Sequence, residues 1–476
     1  MPVMRKHFHK ILFVSTIAVM AIILMQTVTG IVKLKPLHGA VTETEKPKLT
    51  FKSYADGTFQ DSLENYCRNH SGFREWLIRA YNQYLWSCFK ETSNATVVCG
   101  KDGWLFEETH VRDYYESLMY KYADDNDKMR KIFETEVQRF KKVQELLEEH
   151  NVHLFLVIAP CKDAIYPEYL PKNATYLRPD GLHAYDYYKK RFDETGVNYI
   201  DFVSLFRNIK DSVDYPLFPS CGTHWSNIAS VYAFDSILRY MEVIGNQNLI
   251  NLDVGERYQA ETRDPDNDLE IILNLAFPIK SRPNIYADVG IRKDSTAVKP
   301  NFLIVGDSYY FNIAGSTPIW EIFQKYIYWY YNSTIYGDDE HTSTLEVDYE
   351  QELMRPDYIM LIYNPVTLYE FSSYFLPRAL LHLCYDQTVI DSAAHKMMKE
   401  IKFYGYPDYP EFLKVAQKSN RSIDEVLYDN VIYMFRTDPE HFFGELSGDQ
   451  LPVSRNKDLT RIRKNSIFAR SKSLKE

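Results

Sequence analysis

The sequence predicts an α/β protein: a doubly wound parallel sheet, with a transmembrane helix ahead of it and a helical appendage behind. Three observations predict this. Continuous apolar runs of strand length at 153–159, 198–203, 302–305 and 358–363 read as strands covered on both faces. Helical stretches at 180–192, 228–243 and 319–328 lie between them, which is the alternation of a parallel sheet. The N-terminal segment 11–32 carries no charge and is long enough to cross a bilayer.

Taken in order, residues 1–35 form a basic N-terminal region and the membrane anchor. Arg5, Lys6 and Lys10 precede the apolar run and predict that this end stays cytoplasmic, with the bulk of the chain on the extracytoplasmic side. No small-x-small cleavage site follows the run, so the reading favours an uncleaved single-pass anchor over a removed signal peptide. Residues 36–99 are a polar stalk followed by short helices, where Leu63, Tyr66, Phe73, Trp76, Leu77, Tyr81 and Leu85 recur at helical spacing. The α/β domain is expected over 100–370. Its first pieces are a turn into a strand at 100–106 and an amphipathic helix at 127–150, with Phe133, Val137, Phe140, Val143 and Leu147 on one face. Residues 371–476 are read as helices at 371–384, 392–403, 410–419 and 423–434, ending in a basic tail.

Composition narrows the function. The 476 residues carry a net charge of −10, which argues against nucleic acid as a partner. The tail at 452–476 departs from this, with eight Lys or Arg against two acids, and is either a solvated end or a contact with anionic lipid or polymer. The 38 tyrosines suggest exposed rings that stack on sugars or proteins; the aromatic run 326–336 reads either as a carbohydrate-stacking strip or, by strand propensity alone, as a strand. Six cysteines in an exported chain permit disulfides, expected among Cys67, Cys88 and Cys99. None of the cysteines has zinc-ligand spacing, and no metal is expected.

In a doubly wound sheet, chemistry belongs just past the carboxyl ends of the strands. The strand 302–305 ends in Gly306-Asp307-Ser308-Tyr309, where a glycine permits a sharp turn and a serine can project its hydroxyl beside free backbone N–H groups. Ser308 is therefore a candidate nucleophile, set against the common use of Asp and Ser in turns and caps. Thr223-His224-Trp225 follows a loop rich in Pro, Ser, Cys and Gly, and His224 is the candidate general base among 13 histidines. Lys162 and Tyr166 follow the strand 153–159, as substrate or oxyanion contacts or as a solvated Lys and a packed Tyr. Trp225 is either a sugar platform or a core residue. Asn364 follows the strand 358–363 and is a further rim candidate.

These pieces resemble a known family. Gly100-Lys-Asp-Gly-Trp-Leu-Phe106, Lys162-x-x-x-Tyr166-Pro167, Thr223-His224-Trp225 and Gly306-Asp307-Ser308-Tyr309 are similar in order and spacing to the AlgJ/AlgX-type SGNH-hydrolase-like proteins, over about residues 60–365. Phe73-Arg74-Glu75-Trp76-Leu77 looks like the helix that precedes the first motif. The resemblance implies a bacterial, membrane-anchored or exported O-acetyltransferase acting on hydroxyls of a cell-envelope or exported polysaccharide. Ser308 would form the acyl-enzyme, His224 would take its proton, and backbone N–H groups near Ser308 would hold the oxyanion, without cofactor or metal. A membrane-bound O-acyltransferase partner would deliver the acetyl group. The family's acid stands two residues before the histidine, and here that position is Gly222. Three arrangements are open: a substitute carboxylate such as Asp211 or Asp214, a Ser–His dyad, or a non-catalytic glycan-binding or scaffold subunit. A carbohydrate acetylesterase would use the same serine.

Overall fold

The computed structural model describes residues 2–39, 44–115, 126–171, 183–279, 283–371, 373–404, 406 and 408–446. The basic tail at 452–476 lies outside them. The strands are β1 Val97–Cys99, β2 Leu105–Glu107, β3 His153–Ile158, β4 Tyr199–Asp201, β5 Leu252–Ala260, β6 Asn284–Ile291, β7 Asn301–Gly306, β8 Lys325–Tyr330, β9 Thr334–Tyr336 and β10 Tyr358–Tyr363. Six of them make one sheet in the order β4-β3-β10-β7-β8-β9. Its pairs are parallel except β8 with β9, which closes one edge as a hairpin. β1–β2 and β5–β6 are separate antiparallel hairpins.

The period of two along each strand divides two cores. Leu154, Leu156 and Ile158 of β3, Leu303 and Val305 of β7 and Ile359, Leu361 and Tyr363 of β10 point to one face. There they meet the amphipathic helix Asn126–Glu148, the helix Ala184–Thr195 and helices of the C-terminal region. Phe155, Val157, Phe302, Ile304, Met360 and Ile362 point to the other, beneath Asn227–Gly245 and Tyr309–Ser316. Both faces being covered explains why these strands are continuous apolar runs.

The helical C-terminus is present as Phe375–Cys384, Gln387–Tyr404, Tyr409–Ser419 and Ile423–Thr437. Leu376, Ala379, Leu380 and Leu383 join the same core as β3 and β10, so these helices complete one layer of the sandwich.

Several expectations are corrected. The run 319–328 is not one helix: Ile319–Ile322 is a short helix and the aromatic residues after it form β8, paired in parallel with β7. Side-chain packing of Tyr328 and Trp329 on a pleated surface overrides the apparent helical period. The expected strand 198–203 shortens to β4, because Asp201 accepts the Ser204 N–H at 2.9 Å and caps a helix over Phe202–Ile209. No disulfide joins the six cysteines, of which Cys67 and Cys88 are exposed and Cys161, Cys221 and Cys384 buried. The β5–β6 hairpin and the loop it frames were not foreseen. Among the described residues one helix, Phe8–Thr29, is 22 residues long and apolar enough to cross a membrane. At 1.5 Å per residue it spans about 33 Å.

Candidate active site

The carboxyl ends of β7 and β10 open onto a cavity of about 390 Å³. Its lining includes His224, Ser308, Asn364, Thr367, Tyr331 and Tyr369. Gly306 ends β7, and a Cβ there would lie 2.0 Å from the Ile362 carbonyl oxygen, so the central strands approach too closely for any side chain. Asp307 follows, fully buried. Its carboxylate accepts the Asn364 N–H at 2.9 Å, the Asn364 amide at 2.7 Å, the Thr367 hydroxyl at 2.9 Å and the Tyr309 N–H at 3.1 Å. Burial raises its pKa despite these donors. Asp307 and Asn364 therefore rivet the turn after β7 to the end of β10 and do not face the cavity as free groups. Ser308 stands next, at the N-cap of the helix Tyr309–Ser316, half-buried.

His224 Nε2 lies 2.8 Å from Ser308 Oγ, and His224 Nδ1 lies 3.2 Å from Asp268 Oδ2. The other oxygen of Asp268 accepts the Thr223 N–H at 2.7 Å and the Leu269 N–H at 2.8 Å, so the carboxylate is oriented from the residue preceding the histidine. Burial disfavours the imidazolium, but the Asp268 hydrogen bond and the charges of Asp268, Asp307 and Glu107 outweigh it and raise the His224 pKa. Burial likewise pushes Asp268 up, and the His224 hydrogen bond and charge, the Thr223 N–H and Lys162 bring it net below its ordinary value. Tyr309 packs edge-on against the imidazole with ring centres 4.8 Å apart.

The carboxylate at His224 is thus neither Asp211 nor Asp214. Asp214 is exposed and paired with Arg257 at 2.6 and 2.9 Å, and Asp211 is exposed on the surface. The geometry also explains Gly222. A Cβ at that position would meet the Asp266 carbonyl oxygen at 2.4 Å, because the loop leading to Asp268 occupies the space. Asp266 anchors this loop by accepting the Asn284 amide at 2.8 Å and the Asn227 N–H at 3.4 Å, and burial pushes its pKa up to about 6. Gly222→Asp is expected to lower stability by about 1–3 kcal/mol. It should not restore a variant lacking the Asp268 carboxylate, as melting and activity measurements on the double variant would check.

Lys162 is 2 % exposed and does not reach the cavity. Its Nζ donates to the carbonyls of Pro219 at 3.0 Å, Ser220 at 3.4 Å and Gly222, pinning the loop that carries His224. Burial pulls its pKa down to about 7, against the charges of Asp268, Cys221 and Asp163. Lys162→Met leaves these carbonyls without their cation, at about 1–3 kcal/mol for an unpaired buried group. The expected result is a lower melting temperature and a reduced kcat. Tyr166 is packed against Trp104 at 4.9 Å and accepts the Leu217 N–H at 3.3 Å. Trp225 is fully buried against Phe202 and Tyr309, a core residue and not a sugar platform.

Sequence reasoning missed Asp268, His110, Thr367, Tyr331 and Tyr369. The acidic, proline-containing stretch 264–268 was the available signal for Asp268, but its partner is 44 positions away and many acids lie as near. Among the described residues one group has the donors to hold a metal ion: His110, Cys161 and Asp163, whose ligand atoms lie within 4.8 Å of one another. Burial pushes the Cys161 thiol and the Asp163 carboxyl well up, toward their protonated forms, and the charge of Lys162 acts on Asp163 and His110 beside them.

A doubly wound sheet with a serine at the end of a central strand and a histidine delivered by a neighbouring loop defines an SGNH-hydrolase-like domain. Residues 97–310, under half of the chain, match the family described as "SGNH hydrolase-like domain, acetyltransferase AlgX". It is 26% identical over 161 residues to the probable alginate O-acetylase AlgJ of Pseudomonas aeruginosa, a stretch covering 33% of this chain and 37% of that protein. It is also similar to the O-acetyltransferase domain of Pseudomonas putida AlgJ, at 16% identity and TM-score 0.38 over 60% of this chain and 98% of that one. Pseudomonas aeruginosa AlgX aligns at 12% identity and TM-score 0.37 over 59% and 66%.

Proposed function

We propose that the chain is an exported O-acetyltransferase acting on hydroxyls of a cell-envelope polysaccharide through an acyl-enzyme on Ser308. The observation that supports this reading is the hydrogen-bonded line from Asp268 through His224 to Ser308. Ser308 Oγ attacks the acetyl carbonyl of the donor while His224 Nε2 takes its proton. Backbone N–H groups near Ser308 hold the tetrahedral oxyanion in this reading, the Tyr309 N–H excepted, since Asp307 accepts it at 3.1 Å. Collapse expels the donor's leaving group, which receives the proton from His224. A sugar hydroxyl then attacks acetyl-Ser308, giving its proton to His224, and Ser308 regains a proton as it leaves. Asp268 stabilises the imidazolium in both halves and holds its tautomer. The membrane helix faces its basic end to the cytoplasm in this reading, and a membrane-bound O-acyltransferase partner delivers the acetyl group.

A second cavity of about 760 Å³ adjoins the one at Ser308, with Tyr331 and Tyr369 lining both. Lys128, Lys131 and Tyr374 also line the second cavity. A polymer acceptor fits two adjoining cavities better than a small ester does. Tyr331→Ala should raise KM for the polysaccharide about 2–10-fold, the loss of one aromatic contact. It should leave aryl acetate hydrolysis nearly unchanged. The reading is tested with aryl acetate as donor and polysaccharide as acceptor: acetyl moved to polymer supports transfer, release only to water supports an esterase, and neither in a folded protein supports a binding or scaffold subunit.

A further inference from the structure

The helix Arg74–Phe89 turns its apolar side outward. Trp76, Leu77, Tyr81, Tyr84 and Phe89 are each 53–60 % exposed, and Ala80, Ser87 and Cys88 fill the rest of the exposed surface. Every charged residue of this helix, Arg74, Glu75 and Arg79, is half-buried. At 100° per residue, Trp76, Leu77, Tyr81 and Tyr84 fall within an arc of about 140°. The opposite side carries the buried Asn82 and Trp86, and Asn82 donates to the Leu273 carbonyl at 2.7 Å beneath the domain. A soluble helix has the reverse pattern, with charges on the outside.

This face begins at the membrane helix itself. The Gly72 N–H donates to Thr27 Oγ1 at 2.6 Å, and a Cβ on Gly72 would lie 2.4 Å from the Ile23 carbonyl oxygen. Ile23 and Thr27 belong to the Phe8–Thr29 span, so Gly72 sits at the depth of its last turns. Arg79 fixes the next turn by donating to the carbonyls of Lys35 at 2.9 Å and Pro36 at 2.7 Å, the segment that leaves the span. Two rows of contacts therefore hold the start of the helix beside the end of the span.

We propose that the outward face of Arg74–Phe89 lies in the headgroup interface of the bilayer that Phe8–Thr29 crosses. Trp and Tyr are the residues favoured at that depth, an apolar ring with a polar tip, and a face of Trp, Leu and Phe without charge is the one an interfacial helix buries at the headgroup boundary. The helix then acts as a second contact that fixes the tilt of the domain above the membrane. This inference does not rest on the acetyl-transfer reading, but on Phe8–Thr29 being a membrane span.

The test uses the full chain reconstituted without any partner protein into phosphatidylcholine vesicles, brominated on the acyl chain either near the headgroup or near the chain end. Trp76 is one of six tryptophans, so its quenching should remove about one-sixth of the emission. Quenching should be stronger with shallow bromine, absent from Trp76→Phe, and restored by adding Tyr81→Trp to that variant. Equal quenching of the wild type and Trp76→Phe overturns the proposal and leaves the face to a protein partner. Failure of Tyr81→Trp to restore quenching also contradicts it, because the two side chains share the face.

Discussion

Ser308→Ala is expected to lower kcat by on the order of 10⁶-fold, the scale seen when the nucleophile of a coupled serine site is removed. The oxygen lost is the one 2.8 Å from His224 Nε2; among the described residues no other hydroxyl hydrogen-bonds this imidazole, and the nearby Thr367 is committed to Asp307. Ser308 is half-buried and makes no capping hydrogen bond to the helix it precedes, so the variant should fold with a melting temperature close to the wild type. Acetate release and acetyl transfer measured beside a thermal melt separate a missing nucleophile from a missing fold.

Asp268→Asn carries the second largest effect, on the order of 10⁴-fold in kcat, because an amide leaves the geometry in place but no longer holds the imidazole tautomer or the imidazolium charge. It also has a signature in pH. His224 must be neutral to accept the Ser308 proton, so activity falls as pH drops through its pKa. In the wild type that pKa is raised: burial lowers it, and the Asp268 hydrogen bond and charge outweigh burial. With the carboxylate gone, burial acts with less opposition, and the acid limb of the kcat/KM profile should move to lower pH. A profile that drops in height without moving would mean that Asp268 acts only as structure.

The sheet was legible because both-face burial writes itself as unbroken apolar runs, and β3, β7 and β10 lie where those runs end. β8 was half legible: strand propensity marks 326–336, but its first residues also satisfy the helical period of 319–328, and pairing with β7 decides it. Ser308 and His224 were readable since each sits in a short motif at a strand end or helix start. Asp268 was not, because its position is fixed by a loop between β5 and β6 that folds back onto Gly222, a contact with no local signature. Lys162 and Trp225 were visible as residues, but burial decides their roles, and burial of one side chain depends on loops remote in sequence.

The most direct test of the account is to trap the acyl-enzyme. The full chain is incubated briefly with an aryl acetate, quenched in acid, digested and analysed by mass spectrometry, with Ser308→Ala, His224→Ala and Asp268→Asn alongside. The expected result is an added acetyl on the peptide bearing Ser308 in the wild type, none in the first two variants, and slow accumulation in the third. An acetyl group on another residue, or a folded wild type that acquires none while its melting curve matches the variants, would contradict it.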